Sequence, residues 1–187
     1  MDSDGYLSQL ADIFNGITVN TPSISAIIAI ALAGVLLLAS GFASASEIAF
    51  FSLSPSDRND IDERNHPSDD KISALLGDTE RLLATILITN NFVNVTIIML
   101  CNFFFMNVFV FHSPLAEFLI LTVILTFLLL LFGEIMPKIY SAQKTLAFCR
   151  FSAPGIYFLE KVFRPIATVL VRSTTFLNKH FVKKSHN

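Results

Sequence analysis

The chain has 187 residues, of which 53% are hydrophobic and only 15% charged, with a net charge of −2. A soluble domain carries about 25% charged residues, so this balance excludes an ordinary water-soluble globule, and the near-neutral charge gives nucleic acid no electrostatic footing. Nineteen Phe and no Trp suit a surface facing lipid, because a Phe ring has no hydrogen-bonding atom to satisfy.

Residues 1–22 are polar and contain no Lys or Arg. A secretory leader opens on positive charge, so this stretch reads as an extracytoplasmic N-terminal segment ahead of a retained span. Uncharged runs follow at 13–46, 82–116 and 118–133. A crossing needs about 20 mostly apolar residues, which places three transmembrane helices near 24–50, 82–109 and 115–136. Between the first two lies a polar loop, 54–80. Ser54-Pro55 with Asp57 reads as an N-cap, a first-turn proline and an acidic first turn. A second short helix is expected from Ser68 to Gly77, giving a helical hairpin, and Asp78 then caps the second span. Ser113-Pro114, with Glu117 in the first turn, starts the third span in the same way.

All 13 Lys and Arg fall after residue 57, four in the 54–80 loop and its edge (Arg58, Arg64, Lys71, Arg81) and nine beyond the third span. The positive-inside rule therefore puts the N-terminus outside and the C-terminus in the cytoplasm of a multi-pass cell-membrane protein. Residues 138–187 mix Phe, Ile, Leu and Val with Lys and Arg and contain no further span. They read as amphipathic juxtamembrane helices in the cytoplasmic interface, with breaks at Pro154-Gly155 and near Pro165. The fold class expected is thus all-α integral membrane, divided into 1–22, a membrane domain 23–137 and 138–187. Cys101 and Cys149 fall in different compartments, so buried structural roles are expected and no disulfide.

Polar residues inside a span are costly and mark function. The first span carries Ser40, Ser44, Ser46 and Glu47, with Ser40 and Ser44 one turn apart on one face. A lone Ser more often serves helix packing, and Glu47 can sit at the boundary and reach water. The second span carries Asn90, Asn91 and Asn94. Asn90 and Asn94 point the same way and Asn91 elsewhere; one Asn would be interhelical adhesive, whereas two on one face begin a ligand pair. The third span ends in Gly133-Glu134-Ile135-Met136-Pro137-Lys138. Pro137 has no N–H, so in an α-helix the Gly133 carbonyl loses its partner beside a carboxylate. A Glu134–Lys138 pair is the competing reading. Hydroxyl, amide, carbonyl and carboxylate oxygens without thiolate or imidazole suit Mg²⁺, Ca²⁺ or Na⁺. One carboxylate implies weak binding, as transport needs.

At Ser44-Ala45-Ser46-Glu47-Ile48-Ala49, Thr89-Asn90-Asn91-Phe92-Val93-Asn94 and Gly133–Lys138 the chain resembles the transmembrane domain of the CorC/CNNM family of magnesium transporters, as does the DTERLLATIL stretch before the second span. The resemblance implies a homodimer with a cytoplasmic belt helix. It implies Mg²⁺ held by Ser44, Asn90, Asn94, Glu134 and the Gly133 carbonyl and exported in exchange for Na⁺. Ser40, Ser46, Glu47, Asn91 and Pro137 are the further candidates for Na⁺ binding or gating. Ala45 and Thr89 stand where the family usually has Gly and add bulk near that site. Family members usually continue into a pair of nucleotide-binding CBS domains, so this chain is expected to be one domain of a longer protein. The alternative is a membrane anchor or regulatory subunit whose polar residues hold helices together, with Asn90, Asn94 and Glu134 touching one another. An enzyme is not expected: no H-E-x-x-H motif is present, and His66, His112, His180 and His186 supply no base beside a nucleophilic Ser within a span.

Overall fold

The computed structural model describes residues 3–184; residues 1, 2 and 185–187, including His186, lie outside it. Three helical stretches are long and apolar enough to cross a membrane: Ile24–Phe51, Thr79–Val108 and Pro114–Gln143. The first two are single helices, α2 (Ile24–Phe51) and α5 (Thr79–Val108). The third is composite: α6 (Pro114–Leu128), a π-helical segment Leu129–Ile135, and α7 (Met136–Gln143).

The starts of these elements follow from local chemistry. Ser23, Asp78 and Ser113 each accept the backbone N–H three residues on, at Ala26, Arg81 and Ala116, which satisfies one orphan donor of each first turn. In the loop, α3 (Pro55–Asp62) opens with a reciprocal capping box between Ser54 and Asp57. Helix α4 (Asp69–Leu76) lies between Ser68 and Gly77, although the Ser68 side chain makes no capping bond. The cap-based boundaries are therefore those expected.

Two features differ from the sequence reading. The juxtamembrane segment from Thr145 is one helix, α8 (Thr145–Lys184), and both Pro154 and Pro165 lie inside it rather than breaking it. The prolines are eleven residues apart and so share a face of the helix, and both are exposed. On the opposite face Cys149, Ala153, Ile156 and Ala167 are fully buried. Packing on that side holds the helix together where propensity alone would not. The N-terminal segment also has structure: α1 (Ser3–Asn15) and a two-residue strand β1 (Thr18–Val19). Strand β1 pairs antiparallel with β2 (Phe109–Val110) in the turn between α5 and α6. Contacts of His112 with the Gly16 carbonyl and of the Ser23 N–H with Asn107 Oδ1 (3.1 Å) tie the same end.

Two apolar clusters hold the spans. One joins α2, α5 and α6 through Ala33, Val93, Ile97, Cys101 and Leu125. The other gathers the loop helices and α8 onto the ends of α2 and α5 that flank the 54–80 loop, through Phe50, Ile61, Ile72, Leu75, Ile86, Cys149 and Ile156. Burial, with the Asp57 charge adding to it, pushes the Cys149 thiol up to about 12, so it is an inert thiol at neutral pH. Alongside, Asp69 is fully buried and receives Arg150 through Nε at 2.9 Å and Nη2 at 3.2 Å, while also accepting the His66 N–H. This pair fastens α4 to α8. Arg150→Leu leaves the buried Asp69 charge uncompensated and should cost about 3 kcal/mol. Asp69→Asn should cost less, because the half-buried guanidinium can turn to water; thermal unfolding of the purified protein ranks the two.

Candidate cation site

Between the two apolar clusters lies a polar layer. Ser40 Oγ is within 3.0 Å of Asn90 Oδ1 and 2.6 Å of Asn94 Oδ1, and Ser40 is fully buried. A hydroxyl has one proton, so it cannot donate fully to two amide oxygens. The three oxygens therefore converge with one hydrogen between them, and the point is electron-rich without carrying formal charge. Gly133 closes the layer from the third span: a Cβ added there would meet Ser40 Oγ at 3.1 Å. One turn along α2 from Ser40, the Ser44 hydroxyl is fully buried and has no hydrogen-bond partner. An orphaned buried hydroxyl costs roughly 1–3 kcal/mol, and this one lies a helical turn from three converging oxygens, the kind of donor set a hard cation takes.

The third span approaches through its π-helical segment, where the Met136 N–H donates to the Leu131 carbonyl, five residues back. Such widened turns cluster at functional sites. In this register the carbonyl that Pro137 leaves without its donor is that of Phe132, five residues back, whereas an α-helix would have left that of Gly133. The Phe132 oxygen lies 3.3 Å, and Pro137 Cγ 3.0 Å, from where a Gly41 Cβ would be, so Gly41 is what lets α2 come this close. The sequence named the right proline but not the π register; Gly133 and Pro137 were its only local signal.

The other candidate residues are placed as follows. Glu134 is half-buried beside Gly133, with no hydrogen bond or ion pair to the other described residues. It does not pair with Lys138, which lies 3.5 Å from Glu47 instead and links α7 to the end of α2. Ser46 bonds back to the Phe42 carbonyl at 2.7 Å and Thr89 to that of Thr85 at 2.8 Å. Both hydroxyls are thus used within their own helices. Asn91 is exposed, away from the layer. Ala45 is buried, and its carbonyl accepts the Ser141 hydroxyl at 2.6 Å. Ser141 was not foreseen; a Ser just past a proline-containing turn gave no distinguishing signal. Among the described residues no group of three His, Cys, Asp or Glu could hold a metal, so the layer's chemistry is that of neutral oxygens with one carboxylate at its edge.

A model of the cyclin M transmembrane N-terminal domain matches residues 30–187. The chain belongs to that family. It is also similar to a UPF0053 protein of Synechocystis sp., 26% identical over 75% of this chain and 39% of that one. A UPF0053 protein of Haemophilus influenzae is 29% identical over 73% of this chain and 31% of its own length. The chain thus spans less than two fifths of these curated relatives. The family membership agrees with the three spans: this is a multi-pass, membrane-embedded domain.

Two substitutions probe the layer. Ser44→Ala removes an unsatisfied buried hydroxyl, so it should leave thermal stability unchanged or raise it in cation-free buffer, while abolishing any stabilisation by added Mg²⁺. Gly133→Ala should cost about 1–3 kcal/mol by overpacking, since Ser40 is held by two amides and cannot move aside. Unfolding curves with and without Mg²⁺ separate the two effects.

Proposed function

We propose that this domain carries Mg²⁺ across the membrane through the Ser40–Asn90–Asn94 layer, exporting it in exchange for entering Na⁺. The observation that carries the proposal is the orphaned, buried Ser44 hydroxyl one helical turn from three converging oxygens. Hard cations favour oxygen ligands, and Mg²⁺ gives up its water reluctantly. A site built mainly from neutral oxygens with the single Glu134 carboxylate holds such an ion weakly enough to release it. Ser44, Asn90, Asn94, Glu134 and the Gly133 carbonyl are the ligands in this reading, with Ser40 positioning both amides. Na⁺ uses the same oxygens or neighbouring ones.

The lopsided distribution of Lys and Arg supports an N-terminus outside and a C-terminus in the cytoplasm of the cell membrane. Helix α8 then lies along the cytoplasmic interface, its apolar side chains Phe151, Phe158 and Val169 exposed for lipid. The working unit is a homodimer, and the CBS-pair domains follow in the longer protein. No residue acts as a catalyst in this reading.

A membrane-anchor reading has one observation in its favour, since Ser40 bridges Asn90 and Asn94 as an adhesive would. It does not account for the unsatisfied Ser44, nor for Glu134 standing outside that contact. The test is Mg²⁺ flux in proteoliposomes with and without an opposing Na⁺ gradient. Asn90→Ala and Glu134→Ala should each lower the flux at least tenfold with folding preserved. Na⁺-dependent flux that survives both substitutions would defeat the assignment of the site.

A further inference from the structure

Two grooves of similar size run along the spans, and their walls differ in kind. One, of about 490 Å³, has an almost wholly apolar wall that includes Leu37, Phe42, Phe132 and Phe148, as a surface for acyl chains should. The other, of about 540 Å³, lies between α5 and α6; its wall is also mostly apolar, from residues such as Phe118 and Leu121, but Asn102, Glu117, Thr122 and Thr126 are set into it. An amide, a carboxylate and two hydroxyls are the wrong groups to present to hydrocarbon.

Position gives this second groove a purpose. It extends along α6 from Pro114 to Leu129, fifteen residues or about 22 Å at helical rise, which is most of a hydrocarbon core about 30 Å thick. Its outer end holds Glu117. Its deep end, Leu129, is the first residue of the π-helical segment, about 6 Å of helical rise before Gly133. On α5, Ile98 and Asn102, one turn apart, form the facing wall. The volume admits roughly 18 waters at about 30 Å³ each, room for a cation with its hydration shell.

We propose that the α5–α6 groove is a water-filled vestibule through which hydrated hard cations pass between the outer end of the third span and the Ser40–Asn90–Asn94 layer. Glu117 concentrates them at the mouth, and Thr122, Thr126 and Asn102 take the place of part of the water shell. The proposal rests on the transport reading above, but its test does not require flux. In a Cys101→Ala background, with the inert Cys149 retained, Thr122→Cys and Thr126→Cys are compared with their exposed neighbours Val123→Cys and Phe127→Cys in vesicles. Cationic and anionic methanethiosulfonates are added to the side bearing the α5–α6 turn.

The expected result is modification at 122 and 126 at least tenfold faster than at 123 and 127. The cationic reagent should react faster than the anionic one, and Glu117→Gln should lower that preference severalfold. Three results would overturn the vestibule: no reaction at 122 and 126, equal reaction at all four positions, or a disulfide between two copies at 122 or 126, which would make this face a contact between protomers. A cationic preference that is absent, or indifferent to Glu117→Gln, would overturn the cation route. Selective modification in a protein that carries no Mg²⁺ would defeat the transport reading and leave the water-filled groove standing.

Discussion

Helices in lipid gain little from burying apolar side chains against one another, because hydrocarbon is already available to them. What brings α2 onto the third span here is the absence of side-chain bulk at the contacts. Gly41 lets Pro137 and the Phe132 carbonyl come close, and Gly133 does the same for the Ser40 hydroxyl. In the polar layer Ser40, on α2, reaches both amides of α5, so one residue meets the second and third spans together. The same closeness recurs outside the spans, where a Cβ on Gly155 of α8 would lie 3.0 Å from the Phe42 ring. Ser141 adds a polar tie by donating to the Ala45 carbonyl. Removing bulk on one partner and satisfying a backbone oxygen with the other are two answers to the same difficulty of joining helices without a hydrophobic drive.

Neutral oxygens suit this location. A layer of several carboxylates at membrane depth would cost several kcal/mol per charge before any ion arrived, and the spans would have to be held by stronger contacts. Amides and hydroxyls can bond to one another without formal charge, as the Ser40 hydroxyl does with the amide oxygens of Asn90 and Asn94 through its single proton. Ser44 is left over. The layer thus holds itself together while leaving one buried hydroxyl without a partner.

Much of this was legible in the sequence, and the reasons are local. The spans were readable because uncharged runs of that length have few other uses, and the starts of α3, α5 and α6 because Ser54, Asp78 and Ser113 carry capping chemistry within three residues. The pairing of Asn90 with Asn94 on one face followed from helical spacing. What was not legible depends on tertiary contact. Pro154 and Pro165 read as breaks because their local cost is real, but the packing of Cys149, Ala153, Ile156 and Ala167 on the opposite face overrides it. The β1–β2 pairing joins residues some ninety positions apart, with no pattern in either. Ser40 read as a secondary candidate because nothing in a sequence says that one serine reaches two asparagines on another helix.

The continuity of α8 through both prolines has a mechanical consequence. Forty residues of unbroken helix extend about 60 Å, twice the hydrocarbon thickness, so the element is longer than any route across the bilayer and acts as a stiff beam. It is clamped near its start by Arg150 on Asp69 and by Gly155 on Phe42, the latter only two residues from Ser40 on α2. It is held again farther along, where Ala167 is fully buried and the Arg81 guanidinium of α5 reaches the Thr168 hydroxyl at 3.5 Å, so a tilt at one of these contacts is passed to the others. A load on the beam therefore reaches α2 and α5 together, the two helices that carry Ser40, Asn90 and Asn94.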